Sequence, residues 1–254
     1  MAHYNEFLKE LRPHTSTMKL LLLQIRHAPK VRQEEYDSFL RYCRLQPEEL
    51  DILNVFDTPS FDAQVLEGYD ALLVGGASEA SVLEPETYTA VPYCIKLLQH
   101  CIEVDLPVFA SCFGFQLAVL ALGGTIIRDE ADFEMGSIPI SLRPAATDDL
   151  LFHDVSDGFH AIAVHRERSV HCPPGATELA FTAPCSHAFK VTGKRFWACQ
   201  FHPEVDRDTL IARLTIYKDA YTDGDDHLDE VLSNSVETPE SNDLMRKFVD
   251  RVLR

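Results

Sequence analysis

The run Pro107-Val108-Phe109-Ala110-Ser111-Cys112-Phe113-Gly114-Phe115-Gln116 passes from an apolar strand pattern straight into a helical one, with a cysteine at the joint. A small residue before the joint and a glycine two places after it leave room for a sharp strand-to-helix turn. Such a turn holds its central residue in a strained backbone conformation and points the side chain out of the sheet. It also sets the thiol at a helix N-terminus, where unpaired N–H groups and the helix dipole favour negative charge on sulfur. The N–H of Phe113 is then aimed at any oxyanion that forms next to Cys112. A free cysteine is more often a small buried hydrophobe. That is the better reading for the other six cysteines, but Cys112 alone sits in a strand–Cys–x–Gly–helix context.

Working outward, the flanks alternate between the two regular periods. Residues 19–26, 50–56 and 69–74 read as buried strands, the last ended by Gly75-Gly76. Residues 34–43, 62–67 and 87–102 read as helices, and 113–122 as the helix after the elbow, stopped by Gly123-Gly124. Strands alternating with helices at this spacing predict a doubly wound, mostly parallel α/β sheet. Beyond Thr125, residues 137–142, 161–165, 178–182 and 195–201 look like strands with few helices between them, a small antiparallel extension of the same domain. Residues 206–220 and 242–253 read as helices.

The chain has 254 residues, 46% of them hydrophobic, which is enough for one large α/β domain with a real core. A domain over 18–254 is expected, preceded by an extension at 1–17. The formal net charge of −17 argues against nucleic acid or an anionic membrane as partner. Part of that charge is local, because residues 221–240 hold seven acidic side chains and no Lys or Arg and read as a solvated, mobile stretch. An odd number of cysteines, seven, with no CxxC pair, suggests reduced thiols in a cytoplasmic protein. The eleven histidines are dispersed without a helical His-x₃-His pair, so neither a metal nor any other cofactor is expected.

A second motif lies ninety residues after the elbow: Gln200-Phe201-His202-Pro203-Glu204. In an extended backbone, residues two apart project to one side, so the Glu204 carboxylate is expected to orient the His202 imidazole. An imidazole so held can take and return a proton at a nucleophile.

Together, Ser111-Cys112-Phe113-Gly114-Phe115-Gln116 and Gln200-Phe201-His202-Pro203-Glu204 resemble the class I (triad) glutamine amidotransferase family. Leu73-Val74-Gly75-Gly76 is similar to its oxyanion-loop strand, Leu122-Gly123-Gly124-Thr125-Ile126 to its post-helix turn, and Glu134-Met135-Gly136 to a following loop. The match runs over about 18–220 and is nearest to stand-alone members similar to the amidotransferase domain of GMP synthase. The resemblance implies a flavodoxin-like fold and a cysteine-dependent glutaminase working through a γ-glutamyl thioester. It makes Cys112 the nucleophile, His202 the general base and acid, and Glu204 its orienting carboxylate. Gly76 and Phe113 become the oxyanion donors, and Gln116 and His165 substrate-binding residues. Glutamine or a γ-glutamyl small molecule is the implied substrate, with ammonia delivered to a separate ATP-dependent synthetase. A free-standing γ-glutamyl peptide or amide hydrolase is the alternative, and an interaction module with a vestigial elbow the third reading. Three residues depart from the family's usual pattern: Phe115, Ala77 and Val164. Phe115 and Val164 are expected to make the pocket less polar and to loosen specificity for glutamine.

Overall fold

The structure, a computed structural model, describes residues 18–129, 133–216, 231 and 233–254. Its first strand, β1 (Leu20–Gln24), is buried along its whole length, as a strand covered on both faces must be. Leu20 and Leu22 point to one face and Leu21 and Leu23 to the other, and each pair joins a separate apolar core. Helix α1 (Pro29–Cys43) covers the first face and leads to β2 (Leu50–Asn54). Strand β3 (Ala71–Val74), helix α2 (Val91–Val104), strand β4 (Val108–Ser111) and helix α3 (Phe113–Ala121) come next, the two helices lying on the second face.

The remaining strands are β5 (Ile127–Arg128), β6 (Glu134–Leu142), β7 (Phe159–His165), β8 (Glu167–Arg168), β9 (Ala176–Phe181), β10 (Ser186–Val191) and β11 (Phe196–Cys199). Nine of the strands form one sheet in the order β2-β1-β3-β4-β11-β10-β9-β6-β7, while β5 and β8 pair separately. The segment β2-β1-β3-β4-β11 is parallel throughout and is the flavodoxin-like order expected. From β10 onward the pairing is antiparallel, which is the predicted extension, with β10 as a strand that the sequence pattern did not disclose.

In this topology the chain leaves β1 in one direction and β3 in the other, so a crevice opens beyond their carboxyl ends. Arg26, the Gly75-Gly76 pair, Cys112 and the residues after β11 all lie at this end. β4 and β11 run in register, Ser111 opposite Cys199, so Cys112 and the His202 segment emerge at the same rim.

Helix α4 (Arg207–Ile216) and helix α5 (Pro239–Phe248) close the fold. On α5, Phe248 packs between Phe109 and Trp197, with ring centroids 5.5 and 6.2 Å away. The predicted extension 1–17 lies outside the described residues, as does most of the acidic stretch 221–240. At its described end three residues turn inward, while Ser233, Asn234, Val236 and Glu237 are exposed. Val231 joins Ile162, Val205, Leu210 and Leu214 in a small apolar cluster, and Ser235 and Thr238 are buried. Among the described residues no helix is long and apolar enough to cross a membrane.

Candidate active site

Cys112 has φ 49° and ψ −98°. Among the described residues, the other two non-glycine residues with positive φ, Arg44 and Asp105, end helices in the ordinary left-handed region, whereas Cys112 lies outside it. Such a conformation costs about 1–3 kcal/mol and persists only where the surroundings impose it. The Cys112 N–H donates to the Cys199 carbonyl at 2.8 Å, and the Cys112 carbonyl accepts the first helical bond from Gln116 at 3.1 Å. Gly114 lets α3 start against β3, since a Cβ there would lie 2.9 Å from the Val74 side chain.

His202 and Glu204 meet at 2.7 Å, His202 Nδ1 to Glu204 Oε1. The route differs from the extended strand that the sequence suggested. β11 ends at Cys199, and His202-Pro203-Glu204-Val205 forms a β-turn closed by Val205 N–H to the His202 carbonyl at 3.2 Å. Proline presets the backbone at the second position of such a turn, which is why the pairing survives the change. The turn is fixed from outside: the His202 N–H donates to the Ile162 carbonyl, and Asn242 of α5 donates to the carbonyls of Pro203 at 2.8 Å and Val205 at 3.0 Å.

The His202 ring interacts with both the Cys112 thiol and Glu204. Burial alone would lower its pKa, but attraction to Cys112 and Glu204 raises it from 6.5 to about 9. Burial would likewise raise Glu204, yet His202, and Arg213 behind it, hold it down at about 2. A Cβ on Gly76 would lie 2.7 Å from His202 Cε1, so the glycine loop runs directly against the ring. Among the described residues, neither the Gly76 nor the Phe113 N–H donates to another protein group, leaving both available to a ligand.

Above the sulfur is a cavity of about 180 Å³, walled by Ala77, Ser78, Gln116, Arg128, Val164 and Arg166, among others. Gln116 is anchored by its side-chain amide to the Glu167 carbonyl at 2.9 Å. Val164 lines the cavity as expected, but Phe115 does not. It is fully buried against Phe189, centroids 5.1 Å apart, so its apolar ring serves the core beneath α3. Nor is the cavity apolar, because Arg128, Arg166 and Glu167 face it. His165 belongs to its wall, yet its ring turns inward to Glu134, 3.3 Å away. Burial pushes the His165 pKa down to about 4, against the pull of Glu134.

Two further residues lie here to which the sequence reading gave no role. Arg26, just past β1, is fully buried, with Nε donating to Glu35 Oε1 at 2.8 Å and Nη1 to the Ser78 hydroxyl at 2.8 Å. Its Nη2 would lie 3.0 Å from a Cβ on Gly76, so the guanidinium backs the glycine loop. Gln200, also buried, places Nε2 3.8 Å from the Cys112 sulfur.

Comparison with known proteins bears on this arrangement. Residues 38–214 match the family described as glutamine amidotransferase class-I. A GMP synthase [glutamine-hydrolyzing] of Thermotoga sp. (strain RQ2) is 29% identical over 167 residues, 65% of this chain but only 30% of the relative. Gamma-glutamyl peptidase 4 of Arabidopsis thaliana is 24% identical over 86% of this chain and 85% of its own. Among solved structures, a glutamine amidotransferase of Thermotoga maritima superposes with a TM-score of 0.70 at 19% identity, over 92% of this chain and 97% of that one.

Proposed function

Because the chain belongs to the class-I glutamine amidotransferase family, we propose that Cys112, His202 and Glu204 together hydrolyse a γ-glutamyl amide. The observation that carries this reading is the strained Cys112 at the N-terminus of α3, beside an imidazole that a buried carboxylate holds at 2.7 Å.

The Cys112 sulfur attacks the γ-carbonyl carbon, forming a C–S bond and placing the electron pair of the C=O bond on oxygen. The N–H groups of Gly76 and Phe113 receive that oxyanion, and removing one such donor typically costs about 10²–10³ in rate. Collapse of the intermediate breaks the C–N bond, with His202 supplying the proton to the leaving amine. A water deprotonated by His202 then attacks the γ-glutamyl thioester, releasing glutamate and restoring the thiolate. Glu204 keeps the ring in one orientation and stabilises its protonated form throughout. Arg128 and Arg166 suit the α-carboxylate of a glutamyl group, and the Glu167 carboxylate its α-ammonium.

With glutamine as substrate the leaving group is ammonia, passed to a separate ATP-dependent synthetase, a reading supported by the GMP synthase relatives. A second reading, hydrolysis of γ-glutamyl amides with larger amines, is favoured by a second cavity. This apolar space of about 220 Å³ includes Ile25, Val55, Tyr88 and Cys94, and shares Ala80 and Phe113 with the first.

The test is ammonia and glutamate release from glutamine, compared with a panel of γ-glutamyl amides, for the native chain and Cys112→Ala. Loss of a nucleophile that works with a base lowers kcat on the order of 10⁶-fold, so the variant is expected to be inert. A glutamine-analogue electrophile should add once to the native protein and not to the variant. Turnover retained by Cys112→Ala removes the mechanism.

A further inference from the structure

Beneath the wall of the substrate cavity, four side chains from three strands and one turn converge. Glu134 opens β6 and His165 closes β7, paired directly opposite it in the antiparallel register. Cys185 ends the turn between β9 and β10, and His187 lies two residues on, within β10. Glu134 Oε2 is 2.9 Å from His187 Nε2, 3.3 Å from His165 Nε2 and 3.3 Å from the Cys185 sulfur. One ligand atom from each of the four fits within a span of 4.8 Å.

Hydrogen bonding accounts for only part of this arrangement, the His187 Nε2 and Cys185 contacts to Glu134 Oε2. Three groups crowd one carboxylate oxygen, while among the described residues Nδ1 of His187 and both ring nitrogens of His165 have no hydrogen-bond partner. The 3.3 Å approach of His165 to Glu134 is out of line for a hydrogen bond. The His165 side chain is only 1% exposed, so bulk solvent does little to satisfy it. A buried polar group left this way costs about 1–3 kcal/mol, and native proteins rarely leave one without a reason.

We propose that Glu134, His165, Cys185 and His187 form a tetrahedral site for one Zn²⁺ ion, separate from the Cys112 centre and closed to substrate. The donor set of two imidazoles, one thiolate and one carboxylate is the kind that zinc takes and that Mg²⁺ or Ca²⁺ avoids. Thiolate and carboxylate together carry two negative charges, so the divalent ion leaves the buried site neutral. Zinc bonds of about 2.0–2.1 Å to N and O and about 2.3 Å to S imply ligand–ligand edges of roughly 3.3–3.7 Å. The three edges meeting at Glu134 are already near that range, and the widest separation closes by roughly 1 Å when the rings swing inward. Four protein ligands leave no open coordination position, so the ion is structural. It ties β6 and β7 to β10 where they support the site, for the His187 ring stacks on Phe201, the neighbour of His202, at 6.3 Å and 18°.

The experiment uses the full chain carrying Cys112→Ala, which removes the other thiol lying beside an imidazole and a carboxylate. The protein is stripped with a chelator, then titrated with zinc sulfate against a chromophoric competitor, and separately loaded with Co²⁺. About one equivalent of zinc should bind, with a thiolate-to-cobalt charge-transfer band and the intense visible bands of tetrahedral Co²⁺. Cys185→Ser and His187→Asn, each added to that background, should weaken zinc at least tenfold to a hundredfold, the loss that even an outer partner of a metal site causes. If both variants fail to fold, X-ray absorption of the zinc-loaded parent decides, with one sulfur and three N/O neighbours expected. Binding below about a tenth of an equivalent, an unchanged cobalt spectrum in a folded Cys185→Ser, or any sulfur count other than one overturns the proposal. None of these readouts depends on amide hydrolysis, so the zinc site and the proposed reaction stand or fall separately.

Discussion

Replacing Gly76 by alanine tests whether the glycine loop and the His202 ring work as one unit. The new Cβ would lie 2.7 Å from His202 Cε1, 3.0 Å from Arg26 Nη2 and 3.3 Å from His202 Nδ1. Ordinary contact begins near 3.4 Å, so ring and loop must separate by about 0.7 Å. Glu204 resists movement of the ring through its 2.7 Å bond, and Arg26, paired with Glu35, resists on the other side. If the ring yields, its distance from the Cys112 sulfur changes. A misplacement of about 1 Å costs up to about 10²-fold, so a loss of roughly 10–100-fold in kcat is expected, about 1.4–2.7 kcal/mol on the barrier. If the loop yields, the Gly76 N–H leaves the oxyanion position, and the loss is about 10²–10³-fold. Either way kcat falls, while the overpacking itself costs stability only about 1–3 kcal/mol. Steady-state ammonia release and the rate of Cys112 labelling, measured beside a thermal melt, separate the two effects. A folded Gly76→Ala protein with kcat within about twofold of native refutes the reasoning, since neither displacement could then have occurred. Gly75→Ala is the contrast: its Cβ would meet Glu35 Oε1 at 2.8 Å, so stability should suffer more than the labelling rate.

Other perturbations probe the supports of the site. Asn242→Leu strips the carbonyls of Pro203 and Val205 of a buried donor and should cost about 1–3 kcal/mol in urea unfolding, with a fall in kcat that Asn242→Ser partly restores. Unchanged kinetics in a destabilised Asn242→Leu would show that the turn does not need α5. Glu35→Ala deprives the buried Arg26 of its carboxylate partner and should cost about 3–5 kcal/mol, read as a lower denaturation midpoint at unchanged m-value. The pH dependence of stability has a definite sign at His202, which faces Cys112 and Glu204, with His165 and Arg26 nearby. Its folded pKa of about 9 lies above the ordinary 6.5, so the native state binds the proton more tightly. Its contribution is therefore complete below pH 6.5 and lost as pH rises through about 9. The melting-temperature gap between the native chain and His202→Gln should narrow over that window, and a constant gap would contradict the raised value.

The parallel half of the fold was legible because burial on both faces leaves a plain record. Leu20–Gln24 and Ala71–Val74 are apolar runs with turn residues beyond them, and no helix competes for so short a segment. The antiparallel half was less legible. Strand Ser186–Val191 carries Ser, His and Lys where a buried strand would ordinarily be apolar, yet Ser186 and His187 are fully buried. Its polarity belongs to the cluster around Glu134, which sequence spacing cannot disclose because Glu134, His165 and the Cys185–His187 pair come from three parts of the chain far from one another. The expectation of no metal rested on local spacing alone and could not sense that convergence. The start of α1 was missed for a local reason: Ala28 has no capping side chain, and Pro29 at the first helical position was the only signal available.

In the candidate site, what was legible is what the chemistry forces into neighbouring residues. A thiol at a helix N-terminus needs a small residue before it and glycine after it, and an imidazole oriented by a carboxylate two residues on needs a turn that proline can set. The supports obey no such constraint. Arg26 reaches the glycine loop from the end of β1, and Asn242 reaches the His202 turn from a helix nearly forty residues downstream. Any buried donor of similar length arriving from another element could fill either role, so no fixed spacing marks them. Phe115 shows the reverse error, a residue inside the motif whose side chain serves only the core. The atoms that react are therefore written locally, whereas the distances between them, on which rate depends most steeply, are set by contacts with remote parts of the chain. Substitutions at Asn242 or Glu35 should accordingly change the rate while leaving every motif residue in place.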